Sequence, residues 1–237
     1  IGLSTQDQGK AIVSIGNPDA AANVLTYVPG TGTELSKVGG DMKRAALMAA
    51  DANDMNPAAP TAVIAWLGYD APDEIPNAGS GSYADRAVDD LSWFQNGLRV
   101  THDGPTPSHN VVLGHSYGTT VIGHTADQAG LNADDVIFVA SPGTGVNNVT
   151  YLDGIPRDHV WATRAEGDPI EYALLTRAHG PDPAQSGFGG QVFTSNPGGH
   201  SDYWTDDNPA RDNIARIATG KGGVQLCPTP DDWRSWA

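Results

Sequence analysis

Val111-Val112-Leu113-Gly114-His115-Ser116-Tyr117-Gly118 is the stretch on which the reading of this chain turns. Val111–Leu113 is an apolar run of the kind a buried strand makes, and Tyr117–Ala129 after it reads as a helix that starts on small residues. Between them stands Gly-x-Ser-x-Gly. Two glycines around a serine recur by chance, and the plain alternative is a glycine-rich turn that only packs closely. The strand–turn–helix setting favours a nucleophile elbow, in which Ser116 is lifted clear of a sheet at a helix N-terminus whose dipole favours negative charge.

Outward from this stretch, short apolar runs alternate with helical patterns. Strands are expected at Ala11–Ile15, Val24–Val28, Val63–Leu67, Val111–Leu113, Val136–Ala140, Val160–Thr163 and Gln191–Thr194, with a turn at Asn17-Pro18-Asp19. Helices are expected at about Asp41–Asp54, Tyr83–Leu98, Tyr117–Ala129 and Pro209–Ala218. Ser82 is the expected cap of the second, and Asn208 followed by Pro209 opens the last. Near-continuous apolar strands with crossovers of a dozen residues predict an α/β fold: a mainly parallel, open, twisted sheet with helices on both faces. One domain over residues 1–237 is expected. Residues 171–190, whose part Ala178–Gly190 is rich in Gly, Pro and Ser, are read as a loop able to cover a pocket. The tail 221–237, with Trp233 and Trp236, is read as a strap or a frayed end. Trp66, Trp93, Phe94 and Trp161 are expected in the core.

Composition narrows the function classes. The 237 residues include 29 Gly and 17 Pro, a loop-rich chain below the low-complexity range. The charge of -15, from 28 acids against 13 bases, leaves no basic surface to track nucleic acid and disfavours an anionic membrane. One cysteine, Cys227, excludes an intrachain disulfide. No apolar run is long enough for a membrane span. The chain begins at Ile1 rather than Met, which leaves open what precedes it, and both a secreted or envelope address and a cytoplasmic one fit.

A nucleophilic serine needs a base, and the base an orienting carboxylate, with the chain order Ser, acid, His for an elbow serine. His124 lies within the helix after the elbow, His159 precedes a strand, and His179 falls in the loop-rich segment where it could cover the site. His200, in Pro197-Gly198-Gly199-His200-Ser201, follows the last strand at the edge where ligands collect, and is the best base. Asp168, in Glu166-Gly167-Asp168-Pro169, leaves the preceding strand at the same edge and is the best acid. A simple Asp-Pro turn is its plain reading, with Glu166 and Asp153 as competitors. The oxyanion hole needs two backbone N–H groups: that of Tyr117, and one from the loop Val28-Pro29-Gly30-Thr31-Gly32, where Thr31 is the choice. A phosphate loop is disfavoured, since the third glycine and the Lys-Ser/Thr ending are missing.

With Trp66-Leu67-Gly68-Tyr69-Asp70-Ala71-Pro72, Ser141-Pro142-Gly143 and Gly199-His200-Ser201-Asp202-Tyr203 added to the elbow, the oxyanion loop and the Asp168 turn, the chain resembles the α/β-hydrolases. More narrowly, it resembles an actinobacterial α/β-hydrolase family long catalogued as a domain of unknown function. The likeness runs from about Ala11 to about Ala218. It implies a Ser–Asp–His hydrolase and, in the full-length chain, an additional N-terminal helical region; it supplies no substrate. Pro29-Gly30 stands where the superfamily usually has His-Gly.

The function expected is hydrolysis of a small-molecule carboxylic ester through an acyl-enzyme, with Ser116, His200 and Asp168 catalytic and no cofactor. The alternatives are an amidase or peptidase on the same residues, and a catalytically silent hydrolase-like binding domain. Tyr69, Asp70 and Trp204 are the expected substrate-binding residues. Asp202, Asp206 and Asp207 lack the spacing of a calcium loop, and no His-Glu-x-x-His supports zinc, so no metal is expected.

Overall fold

A computed structural model of the chain describes residues 2–5 and 9–228. Its strands are β1 (Gly2–Ser4), β2 (Lys10–Ile15), β3 (Asn23–Val28), β4 (Thr61–Leu67), β5 (His109–His115), β6 (Asp135–Val139), β7 (Val160–Thr163) and β8 (Gln191–Val192). The helices are α1 (Val38–Met55), α2 (Ser82–Thr101), α3 (Tyr117–Ala129), α4 (Ile170–Thr176) and α5 (Pro209–Ala218). One eight-stranded sheet runs β1-β2-β4-β3-β5-β6-β7-β8. β1–β2 and β2–β4 are antiparallel, and every other pairing is parallel.

The central strands β3, β4, β5 and β6 are mainly apolar on both sides because both sides are covered. Along β3, Val24 and Val28 enter one core with Trp66, Val112 and Phe138, while Leu25 and Tyr27 enter the other with Leu67, Leu113 and Ile137. α2 and α3 close the first core, and α1 and α5 the second. Thr26 is fully buried among these residues and is satisfied by Gln95 Nε2 of α2 at 2.9 Å. Among the described residues, no helix is long and apolar enough to cross a membrane.

Differences from expectation lie at the margins. Trp93 is 70% exposed rather than buried. The buried face of α2 passes through Ala84, Ala87, Val88, Leu91, Gln95 and Leu98, and helical spacing puts position 93 off it. Trp66 is buried, whereas Phe94 and Trp161 are only half-buried. Ser82 is the first residue of α2 rather than its cap, and its N–H is met by Ser80 Oγ at 3.3 Å. Asn208 caps α5 as read, its Oδ1 accepting from Ala210 N at 3.0 Å. The segment 171–190 opens with α4 instead of loop: the Asp-Pro turn leads straight into a helical turn. The last expected strand stops at Val192, after which Phe193 bridges to Leu226 in the tail. Trp233 and Trp236 fall outside the described residues.

A buried ion pair fastens the long segment after α4. Arg164, at the exit of β7, meets Asp182 at 2.8 Å, and both side chains are 5% exposed. Burial pushes the Asp182 carboxyl up, while Arg164 and the Ala184 N–H oppose that rise. Taking one partner away is therefore costly. Asp182→Ala is expected to lower stability by about 3–5 kcal/mol, and the apolar pair Arg164→Met/Asp182→Leu to recover most of it, both read from urea unfolding midpoints.

Candidate active site

All the parallel strands point their carboxyl ends to one edge, and Ser116, Asp168 and His200 follow β5, β7 and β8 there. β5 ends at His115, and the chain turns at Ser116 with φ 56 and ψ -130, a positive φ that a side chain tolerates only under strain. Three contacts hold the turn. Ser116 N–H donates to Val139 O at 3.0 Å, and its carbonyl accepts from Thr119 N at 3.0 Å and Thr119 Oγ1 at 2.7 Å. Thr119 has thereby spent its hydroxyl proton, so the 2.7 Å contact with Ser141 is a donation from Ser141, whose Oγ in turn accepts from Gly143 N. Ser141-Pro142-Gly143 thus braces the elbow from the next strand.

Glycine is required at two places here. A Cβ on Gly118 would run into the Val28 carbonyl, and one on Gly30 would lie 2.7 Å from Ser116 Cβ and 2.8 Å from Tyr117 N. The loop after β3 therefore lies against the elbow, with Gly30 packed on Ser116 and Tyr117. The carbonyls of that loop have partners: Pro29 O accepts from Tyr69 Oη at 2.7 Å and Gly30 O from Thr33 Oγ1 at 2.7 Å. Gly32 N–H donates to Pro72 O at 2.8 Å, tying the loop to the one after β4.

His200 and Asp168 meet. His200 Nδ1 lies 2.9 Å from Asp168 Oδ1 and 3.2 Å from Oδ2, with Asp168 fully buried. Their loops are joined by Gly198 N–H to Glu166 O at 2.9 Å, and the base loop is tightened by Gly199 N–H to Asp202 Oδ2 at 2.7 Å. Burial opposes the charge on Asp168, but hydrogen bonds from His200, Tyr203 Oη (2.7 Å to Oδ2) and Ile170 N–H (2.8 Å to Oδ1) outweigh it and hold the carboxyl below its usual range.

The remaining candidates are placed as follows. Tyr69 is buried with its hydroxyl on Pro29 O, and Asp70 is half-buried at the exit of β4. Trp204 is buried in the second core, edge-on to His115 and Tyr27, with the Arg44 guanidinium over its ring at 5.0 Å. Tyr117 Oη donates to Ser80 O, and burial lifts its pKa to about 12. His124 pairs with Asp85, and His159 with Asp135 at the opposite edge of the sheet. His179 is buried, edge-on to Tyr117, with Nε2 at 2.6 Å from Ala78 O. Asp202 serves the Gly199 amide and Asp206 pairs with Arg211. Among the described residues, no group of three His, Cys, Asp or Glu is arranged to hold a metal.

Sequence reading gave no role to Tyr203 or His115. Tyr203 is fully buried, accepts from Ala165 N at 2.8 Å and donates to Asp168. His115 is buried, its Nε2 lies 2.7 Å from His200 O, and its ring lies 4.7 Å from the His200 ring. Tyr203 stands in the Gly199–Tyr203 motif and His115 within the elbow itself, so adjacency was the available signal.

A model of the alpha/beta hydrolase family matches residues 4–177, a span that includes Ser116 and Asp168 and stops short of His200. The uncharacterized protein Rv2079 of Mycobacterium tuberculosis is 33% identical over 252 residues; the match takes in 91% of this chain, which spans 38% of that relative's length. Rv0963c of the same organism is 34% identical over 171 residues, 69% of this chain and 63% of its own length. Among solved structures, the esterase LipW of Mycobacterium marinum aligns with a TM-score of 0.52 at 14% identity, over 89% of this chain and 82% of that one. XC6422 of Xanthomonas campestris, described as a serine hydrolase without lid, aligns with a TM-score of 0.51 at 17% identity, over 90% and 88%. At such identities the likeness is one of fold.

Tyr203→Phe takes from Asp168 Oδ2 the shorter of its two contacts and from the Ala165 amide its acceptor, at an expected cost of about 1–3 kcal/mol at neutral pH. Because Asp168 is depressed in the folded state, its contribution is complete above the unfolded carboxyl pKa and fades as pH falls through the folded one. The stability gap between wild type and Tyr203→Phe should therefore narrow in acid, as urea unfolding at stepped pH would show; a gap that widens in acid would contradict the assignment.

Proposed function

The chain belongs to the alpha/beta hydrolase family, and from that premise we propose that it is a serine esterase acting through an acyl-enzyme. The observation that carries the proposal is the 2.9 Å contact of His200 Nδ1 with buried Asp168, at the same sheet edge where Ser116 stands on a strained turn. Asp168 accepts a hydrogen bond from His200 Nδ1–H, which keeps that proton on Nδ1 and leaves Nε2 as the basic nitrogen. Ser116 Oγ gives its proton to His200 Nε2 as it attacks the ester carbonyl. The imidazolium that forms is stabilised by the carboxylate beside it.

Charge on the tetrahedral oxygen is received by the N–H groups of Tyr117 and Thr31, fixed in place before the reaction begins. The intermediate collapses with transfer of the Nε2 proton to the departing alkoxide. Water, deprotonated by the same nitrogen, then releases the acid and restores Ser116. An ester is favoured over an amide because an alkoxide asks less of the acid than an amine does. Of the three residues read as substrate-binding, Asp70 is the one left partly open to solvent.

A fluorophosphonate probe is expected to label wild-type protein at Ser116 and to leave Ser116→Ala unlabelled. Ser116→Ala should lose ester hydrolysis by roughly 10⁶-fold in kcat, and Asp168→Asn by about 10⁴-fold through the wrong imidazole tautomer. Turnover retained in Ser116→Ala would sink the proposal. Matched ester and amide substrates test the bond: faster cleavage of the amide would move the assignment to an amidase.

A further inference from the structure

The residue before the nucleophile carries more than a place in the turn. His115 is 5% exposed, and its Nε2 lies 2.7 Å from the His200 backbone carbonyl. A carbonyl can only accept, so His115 carries its proton on Nε2 and donates it. The ring lies against that of His200 at 4.7 Å with a tilt of 39°, and Trp204 closes its other side edge-on at 5.0 Å. The neighbouring residue of the base loop is tied as well, since Ser201 Oγ accepts from Arg44 Nη2 of α1 at 3.0 Å.

We propose that His115 is a positioning residue, which sets the distance between nucleophile and base by holding the base loop from the residue adjoining the nucleophile. The proposal rests on the serine esterase assignment and deepens it. The backbone of His115 is fixed in the sheet through its pairing with Val139, one residue from the Ser116 turn. Its side chain fixes the His200 carbonyl, one residue's length from the imidazole. Ser116 and His200, 84 positions apart in the chain, are thereby registered through a single side chain.

The chemistry of the neighbourhood explains why an imidazole serves. Burial, then the nearness of His200 and Arg44, drives the His115 pKa down to about 3 against a smaller opposing pull from its hydrogen bond to the His200 carbonyl and from Asp168. It is therefore a neutral donor at the pH where His200 must take up a proton. A Lys or Arg could make the same hydrogen bond, but its permanent charge would repel the imidazolium formed during each turnover. Phenylalanine would fill the space and donate nothing; glutamine reaches about as far and can donate.

The test compares wild type, His115→Phe and His115→Gln, with folding of each checked by thermal unfolding. Two readouts are taken: kcat and KM for an ester, per site titrated with fluorophosphonate, and the downfield proton NMR signal of the His200 Nδ1–H bonded to Asp168. His115→Phe is expected to lower kcat on the order of 10²-fold with little change in KM, as for a displaced catalytic group, and to broaden or lose the downfield signal. His115→Gln should restore both. A merely structural role would lower the unfolding temperature and the titrated fraction while leaving kcat per site and the signal as in wild type, and that outcome overturns the proposal. So does a glutamine variant no better than phenylalanine in both readouts. Absence of labelling and turnover in wild type would instead defeat the esterase assignment, and the NMR comparison would still decide whether His115 positions His200.

Discussion

The Cα of Gly118 lies so close to the Val28 carbonyl that no side chain fits between them, and the site is built on that contact. It lets the start of α3 press against the exit of β3, so the elbow and the neighbouring loop form as one unit. Gly30 repeats the requirement from the other side, against Ser116 and Tyr117. The positive φ of Ser116 costs free energy that only surrounding contacts can offset, and the Thr119–Ser141–Gly143 chain of hydrogen bonds supplies them. Close packing here comes before chemistry, because amides can be aimed at a reacting oxygen only from a backbone that does not move.

Much of the architecture was legible because its signals are local. A strand buried on both faces must be mainly apolar, and β3, β4 and β6 are so apart from Asn23, Thr26, Thr61 and Asp135. Asn208-Pro209 marks a helix start by its own chemistry. What escaped depended on distant partners. Trp93 looks like core by composition, and only the phase of α2 against the sheet turns it outward. The seven residues of α4, Ile-Glu-Tyr-Ala-Leu-Leu-Thr, are near-continuously apolar and none is buried, so no one-sided apolar stripe marked them as a helix. That Asp168 and His200 meet was legible because strand exits lie at one edge, an argument that needs only topology. Tyr203 and His115 act through a hydroxyl and a ring nitrogen on groups far away in sequence, and no spacing rule reports such a bond.

The acidic composition also takes on meaning inside the molecule. Asp41, Asp135, Asp168 and Asp182 are buried, and each gathers donors. At the edge away from the site, Asp135 binds His109, Trp161 and His159, joining β5, β6 and the start of β7. Carboxylates here tie the strands together where apolar contact ends.

The two-residue strand β8 joins the sheet only through Trp161↔Gln191 and Ala162↔Val192, with further hydrogen bonds from Thr194 and Cys227 to and from the tail. The loop bearing His200 follows from this slender edge, whereas Ser116 grows from the centre of the sheet. Ser116 and His200 thus rest on parts of the sheet that differ in the number of strand pairings beside them. The two sides of the site are thus joined less by the sheet itself than by the side chains that reach across its edge, from His115 to the His200 carbonyl and from Tyr203 to Asp168.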